Sequence, residues 1–103
     1  MELLTAEGRR TLPPLYAQEN NRDPVVHLKL FTPDSNWTWY VTEGSEQEGD
    51  FIFFGYVIGF EREWGYFALS ELEAARGPLG LPIERDVHFS PVPFSNIEAL
   101  HPG

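Results

Sequence analysis

The side chains able to do chemistry are few. Histidine occurs only as His27, His88 and His101, and cysteine is absent, which removes disulfide frameworks, thiolate metal sites and a thiol nucleophile together. A metal ion would have to combine His27 and His88 with a carboxylate such as Asp86, and none of these stand at a helical ligand spacing. The carboxylate pairs Glu61/Glu63 and Glu71/Glu73 are close enough in sequence for acid–base work. A general acid needs desolvation, however, and Arg62 and a turn location keep Glu61 and Glu63 in water, while Glu73 matches a helix-capping position. Nucleophile-elbow, phosphate-loop, dinucleotide-binding and zincin patterns are missing, and Gly55, Gly59 and Gly65 fall at strand spacing rather than in a phosphate cradle. The reading is a non-enzymatic chain with no catalytic residue, cofactor or metal.

The densest polar and aromatic segment is Thr32-Pro33-Asp34-Ser35-Asn36-Trp37-Thr38-Trp39-Tyr40. Its ordinary reading is a turn, with Asp34 or Ser35 bonding the local backbone, followed by a core strand; the functional reading is a ligand-binding lip. The acids form the second concentration. Up to residue 31 Glu2, Glu7, Glu19 and Asp23 balance Arg9, Arg10, Arg22 and Lys29; beyond it only Arg62, Arg76 and Arg85 offset the carboxylates, so the whole net charge of −9 falls there. Glu43, Glu46, Glu48 and Asp50 cluster among Gly44, Ser45 and Gly49 and read as a mobile acidic loop over residues 42–50. Glu84, Arg85 and Asp86 with Arg76 read as a structural ion-pair group.

The elements that must hold these groups follow from spacing. Thr5 caps a short helix that Pro13-Pro14 ends, and residues 16–24 form a polar connector. Residues 25–31 alternate as a strand, residues 32–36 turn, and residues 37–42 return with Trp37, Trp39 and Val41 on one face and Thr38, Tyr40 and Thr42 on the other. Residues 51–60 are apolar on both sides and predict a central strand covered on both faces. A fourth strand runs from Trp64 to Leu69. Ser70 to Glu73 matches a capping box opening a helix that Gly77-Pro78 stops, residues 86–89 give a fifth short strand, and Ser95 to Glu98 matches a second capping box. The expected architecture is a single α+β domain: an antiparallel meander of four to five strands with two or three short helices, divided as 1–24 (helix and connector), 25–69 (meander) and 70–103 (helices, loops, edge strand).

At 103 residues the chain has room for one domain, and 42% hydrophobic with 15% aromatic residues is too much apolar material for disorder. A strongly acidic balance excludes the electrostatic footprint of a direct nucleic-acid binder. With a charged start and no apolar run of about 20 residues, the sequence predicts a cytoplasmic protein with neither signal peptide nor membrane span. Aromatics on both faces of several strands, with few helices to cover them, predict a homodimer closing one face.

The segments Phe31-Thr32-Pro33-Asp34-Ser35-Asn36-Trp37-Thr38-Trp39-Tyr40, Phe53-Phe54-Gly55, Gly65-Tyr66-Phe67, Leu69-Ser70-Glu71-Leu72 and the run from Arg76 to Asp86, with Leu3-Leu4-Thr5 and Leu12-Pro13-Pro14-Leu15-Tyr16, carry a resemblance. Over nearly its whole length the chain resembles the small domain-of-unknown-function family numbered twenty-nine fifty-eight. That resemblance implies no catalytic residues, but it implies a setting: cargo of phages, plasmids and integrative elements, near genes for conjugation or for evading host defence. Joined to the acidity, it gives the expectation of an inhibitor of a host defence nuclease complex, of anti-CRISPR or anti-restriction type, meeting a basic nucleic-acid channel. The contact residues expected are Asp34, Trp37, Trp39, Tyr40, Glu43, Glu46, Glu48, Asp50, Glu61 and Glu63. The alternatives are an interaction module for element replication or conjugation, and a small-ligand binder or enzyme using residues 34–40.

Overall fold

In the computed structural model, which describes residues 1–102, the Thr5 hydroxyl accepts the Gly8 amide at 3.0 Å and starts α1 (Ala6–Thr11). The strands β1 (Val25–Val26), β2 (Leu28–Phe31), β3 (Thr38–Gln47), β4 (Asp50–Ile58) and β5 (Arg62–Ala68) follow; then come α2 (Leu69–Ala74), β6 (Glu84–Arg85), β7 (Val92–Pro93) and α3 (Phe94–Leu100). The main sheet is five-stranded and antiparallel in the order β5-β4-β3-β2-β6, and β1 pairs with β7 in a two-stranded sheet. The domain is α+β, and β2 to β5 form the expected meander.

The acidic stretch at residues 42–50 is not a mobile loop. It is the end of the β3–β4 hairpin, closed by Glu48 and Gly49 with φ of 50° and 82°, the left-handed pair that a two-residue hairpin turn requires. Gly44 looks like a loop glycine in sequence but sits in β3, where a Cβ would come within 2.3 Å of the Phe51 ring. A bulge between Val41 and Glu43 inserts Thr42, so Glu43 pairs with Phe54 and moves to the face opposite Val41.

One face of the sheet carries Leu30, Trp39, Val41, Phe51 and Phe53, covered by Leu3, Leu4, Leu12, Leu69, Leu72 and Ile83. On the other face Tyr40 packs with Val26, Phe94 and Ile97. β4 is therefore an inner strand but is not fully covered on both sides: Phe51 and Phe53 are buried, whereas Ile52, Phe54 and Tyr56 are half-buried.

Three local expectations shift for reasons that lie elsewhere in the chain. α2 begins at Leu69, because the Glu71 carboxylate accepts the Ala68 amide at 3.0 Å, while Ser70 turns to Asp50. α3 begins at Phe94, and Ser95, expected as its cap, instead gives its amide and hydroxyl to Asp23 at 2.8 and 2.7 Å. The fifth strand lies at Glu84–Arg85 rather than 86–89; the Asp86 amide still reaches the Lys29 carbonyl, but its carboxylate then accepts the His88 amide and turns the chain away.

Candidate functional site

The segment after Pro13-Pro14 is a run of tight turns lying across the bulged end of β3. The Gly44 amide donates to the Pro13 carbonyl at 2.9 Å and the Leu15 amide to the Ser45 hydroxyl at 2.9 Å. The buried Glu43 carboxylate then accepts the Tyr16 amide at 2.9 Å with one oxygen and the Gln18 amide at 2.6 Å with the other. Charge-assisted acceptance of backbone donors is among the stronger tethers a fold can make. Gln18 completes the clamp: its side-chain amide donates to the carbonyls of Val25 and Thr42 and accepts the Val25 amide at 2.8 Å.

This tether holds Tyr16 at φ 74°, a left-handed conformation costly for a bulky residue, and places its ring 6.4 Å from that of Tyr66 on β5. Between the segment and β5 lies a cleft of about 400 Å³ whose lining includes Tyr16, Glu19, Arg22, Glu43, Phe54, Trp64 and Tyr66. Phe54 stacks on Trp64 at 5.7 Å and meets Tyr66 at 4.9 Å, so the floor is a continuous aromatic surface across β4 and β5. A hydrogen bond with Tyr16, then burial, then the charges of Tyr16, Glu43 and Glu19 push the Tyr66 hydroxyl above the ordinary tyrosine value.

The family that matches the chain is described as Protein of unknown function (DUF2958), with residues 3–97 matched. The chain belongs to the DUF2958 family. No curated protein and no solved structure matches it.

In this DUF2958 chain the contact residues expected from sequence are dispersed. Trp39 and Tyr40 are core on opposite faces, and the Tyr40 hydroxyl meets His101 Nε2 at 2.9 Å, so neither offers an anchor to a partner. Trp37 stacks on Trp39 and takes the edge of Phe60. Asp34 is a latch rather than a lip: one carboxylate oxygen accepts the amides of Leu79 at 2.9 Å and Leu81 at 3.3 Å, and the other is pressed against Gly77 with no hydrogen-bond partner. Of the acidic cluster, Glu43 is buried as the tether, Glu46 pairs with Arg9, and Asp50 accepts the Phe51 amide at 2.8 Å and bonds Ser70. Those bonds, Ser70 first, hold Asp50 below the ordinary carboxylate value. Glu48 sits exposed at the turn, Glu61 is exposed just before β5 and Glu63 is exposed within it. Arg76 and Arg85 bond backbone carbonyls instead of the expected acids, and Asp86 pairs with Lys29 at 3.8 Å.

Sequence reasoning missed Tyr16, Gln18, Glu19 and Arg22, which sit in a stretch that looks like a polar connector, and it placed Trp64 and Tyr66 in a strand without seeing that they stay open. The available signal was the alternation of Trp64 and Tyr66 with Glu63 and Gly65. Among the described residues no group of three or more His, Asp or Glu side chains is placed to hold a metal ion, and no helix is long and apolar enough to cross a membrane.

Proposed function

We propose that this protein is a non-enzymatic acidic binding protein of a mobile genetic element, working in the bacterial cytoplasm as an inhibitor of a host defence nuclease complex by docking against its basic nucleic-acid channel. The observation that carries the reading is the composition of the β5 rim. The exposed rings of Phe60, Trp64 and Tyr66 stand there with the exposed carboxylates Glu61 and Glu63; neither carboxylate is ion-paired among the described residues, and Arg62 between them donates to the His101 carbonyl. Aromatic anchors inside an acidic field are what a Lys- and Arg-lined groove selects. The polar groups deepest in the cleft, Glu43 and Gln18, are taken up by backbone donors and acceptors, which favours a binding role over an acid–base one.

The test is capture from host lysate with the wild-type chain and with the Glu61→Gln/Glu63→Gln variant, followed by association kinetics at rising salt with the partner so identified. The expected partner is a nucleic-acid-binding host protein, bound more slowly by the variant and by both chains as salt rises. A partner encoded by the element itself favours the replication or conjugation module. A second copy of this chain as the sole occupant, or a salt slope identical in the two chains, overturns the acidic docking mechanism.

A further inference from the structure

We propose that the cleft between Tyr16 and β5 is a socket for one arginine side chain, presented by a basic segment of the protein partner; the assignment rests on the protein-binding reading above. Its walls are aromatic and open. Tyr16 is 58%, Tyr66 55% and Trp64 38% exposed, whereas Tyr40 and Phe94 on the same face of the sheet are buried. Its field is negative: the lining carries two carboxylates, the exposed Glu19 and the buried Glu43. Each Glu43 oxygen accepts a single amide and so retains a lone pair. The segment bearing Tyr16 is held in place by those same bonds and carries a left-handed φ of 74° at Tyr16 itself, so one wall stands across from Tyr66 before any ligand arrives.

A guanidinium meets each of these features. Its flat, weakly hydrated face stacks on aromatic rings while its fork of N–H donors remains free for carboxylate oxygens. An ammonium is a compact and strongly hydrated charge that gains less from the rings, and an anion is repelled by two carboxylates. Arg22 is the one cation in the lining; it opposes an incoming arginine and makes the site weaker than its walls alone would allow.

The experiment is a titration of the full chain, followed by NMR at the Trp64 indole and the Tyr16 and Tyr66 amides. The probes are the capped peptide acetyl-Gly-Arg-Gly-amide, its lysine and citrulline counterparts, and free arginine. The arginine peptide is expected to shift these resonances saturably, with the lysine peptide about 5-fold weaker and the citrulline peptide without effect. Trp64→Leu weakens the arginine peptide about 5-fold; Glu19→Gln, at an exposed position that leaves folding intact, weakens it about 2-fold; Arg22→Gln tightens it. Absence of saturable shifts at Trp64 and Tyr16, or equal response to lysine or citrulline, overturns the socket, and free arginine binding more tightly than the capped peptide overturns a protein-borne arginine as its occupant. If the socket fails while a basic host partner is still captured in a manner sensitive to Glu61 and Glu63, the socket falls alone; if that capture fails too, the protein-binding reading falls with it.

Discussion

Replacing Glu43 by Ala removes the acceptor for two backbone donors at once, the Tyr16 amide at 2.9 Å and the Gln18 amide at 2.6 Å. A hydrogen bond to a charged group contributes about 1.5–3 kcal/mol, so the gross loss is about 3–6 kcal/mol. The donors lie on a surface run of turns, and once released they reach water, which brings the expected loss in global stability to about 3 kcal/mol against a total of about 5–15 for a domain of this size. Glu43→Gln keeps one acceptor oxygen and sets an amide donor against the other N–H, so about 2 kcal/mol is expected from it. Urea denaturation at constant slope gives the global term. Hydrogen exchange separates it from local opening: the Tyr16 and Gln18 amides should exchange much faster in both variants, while those of β4 change only by the global loss. An unchanged midpoint together with unchanged exchange at Tyr16 and Gln18 would refute the tether.

A Cβ at position 77 would lie 1.7 Å from Asp34 Oδ1, so Gly77→Ala is expected to cost about 1–3 kcal/mol, and Gly77→Ala combined with Asp34→Ala less than the sum of the two, as measured by a double-mutant cycle in urea. Phe53→Ala, at a fully buried ring, should cost about 3–5 kcal/mol, and Phe54→Ala, on the half-covered face, under about 2 kcal/mol; equal midpoints would show that the two faces are covered alike. Burial holds His27 and His101 below the ordinary value of 6.5, His101 being lowered further by Arg62 and Lys29. As pH falls the unfolded chain takes up those protons before the folded one, so stability is full above 6.5 and declines on acidification below it; a shallower decline from pH 7 to 5 in His101→Gln than in the wild type, with the His27 contribution remaining, checks the sign at that site.

What the sequence determined by itself is what neighbouring residues decide between them. The Thr5 cap, the stop at Pro13-Pro14, the turn at residues 32–36 and the alternation of Trp37, Trp39 and Val41 depend on one residue and the next few, and they stand as read. The meander followed from such local signals, since strands joined by short turns pair with their neighbours. Only the tertiary structure decided the rest. The bulge at Thr42 turned Glu43 from an apparent surface acid into a buried tether, because register belongs to a pair of strands and not to one of them. Asp23 caps α3 from 72 residues away and Asp34 latches a loop some 45 residues on, and no local pattern encodes a carboxylate whose donors are that distant. The cleft itself arises because residues 14–21, polar and irregular in sequence, cover one part of an aromatic face and α3 covers another. Trp64 and Tyr66 stay open between them for want of a third covering element.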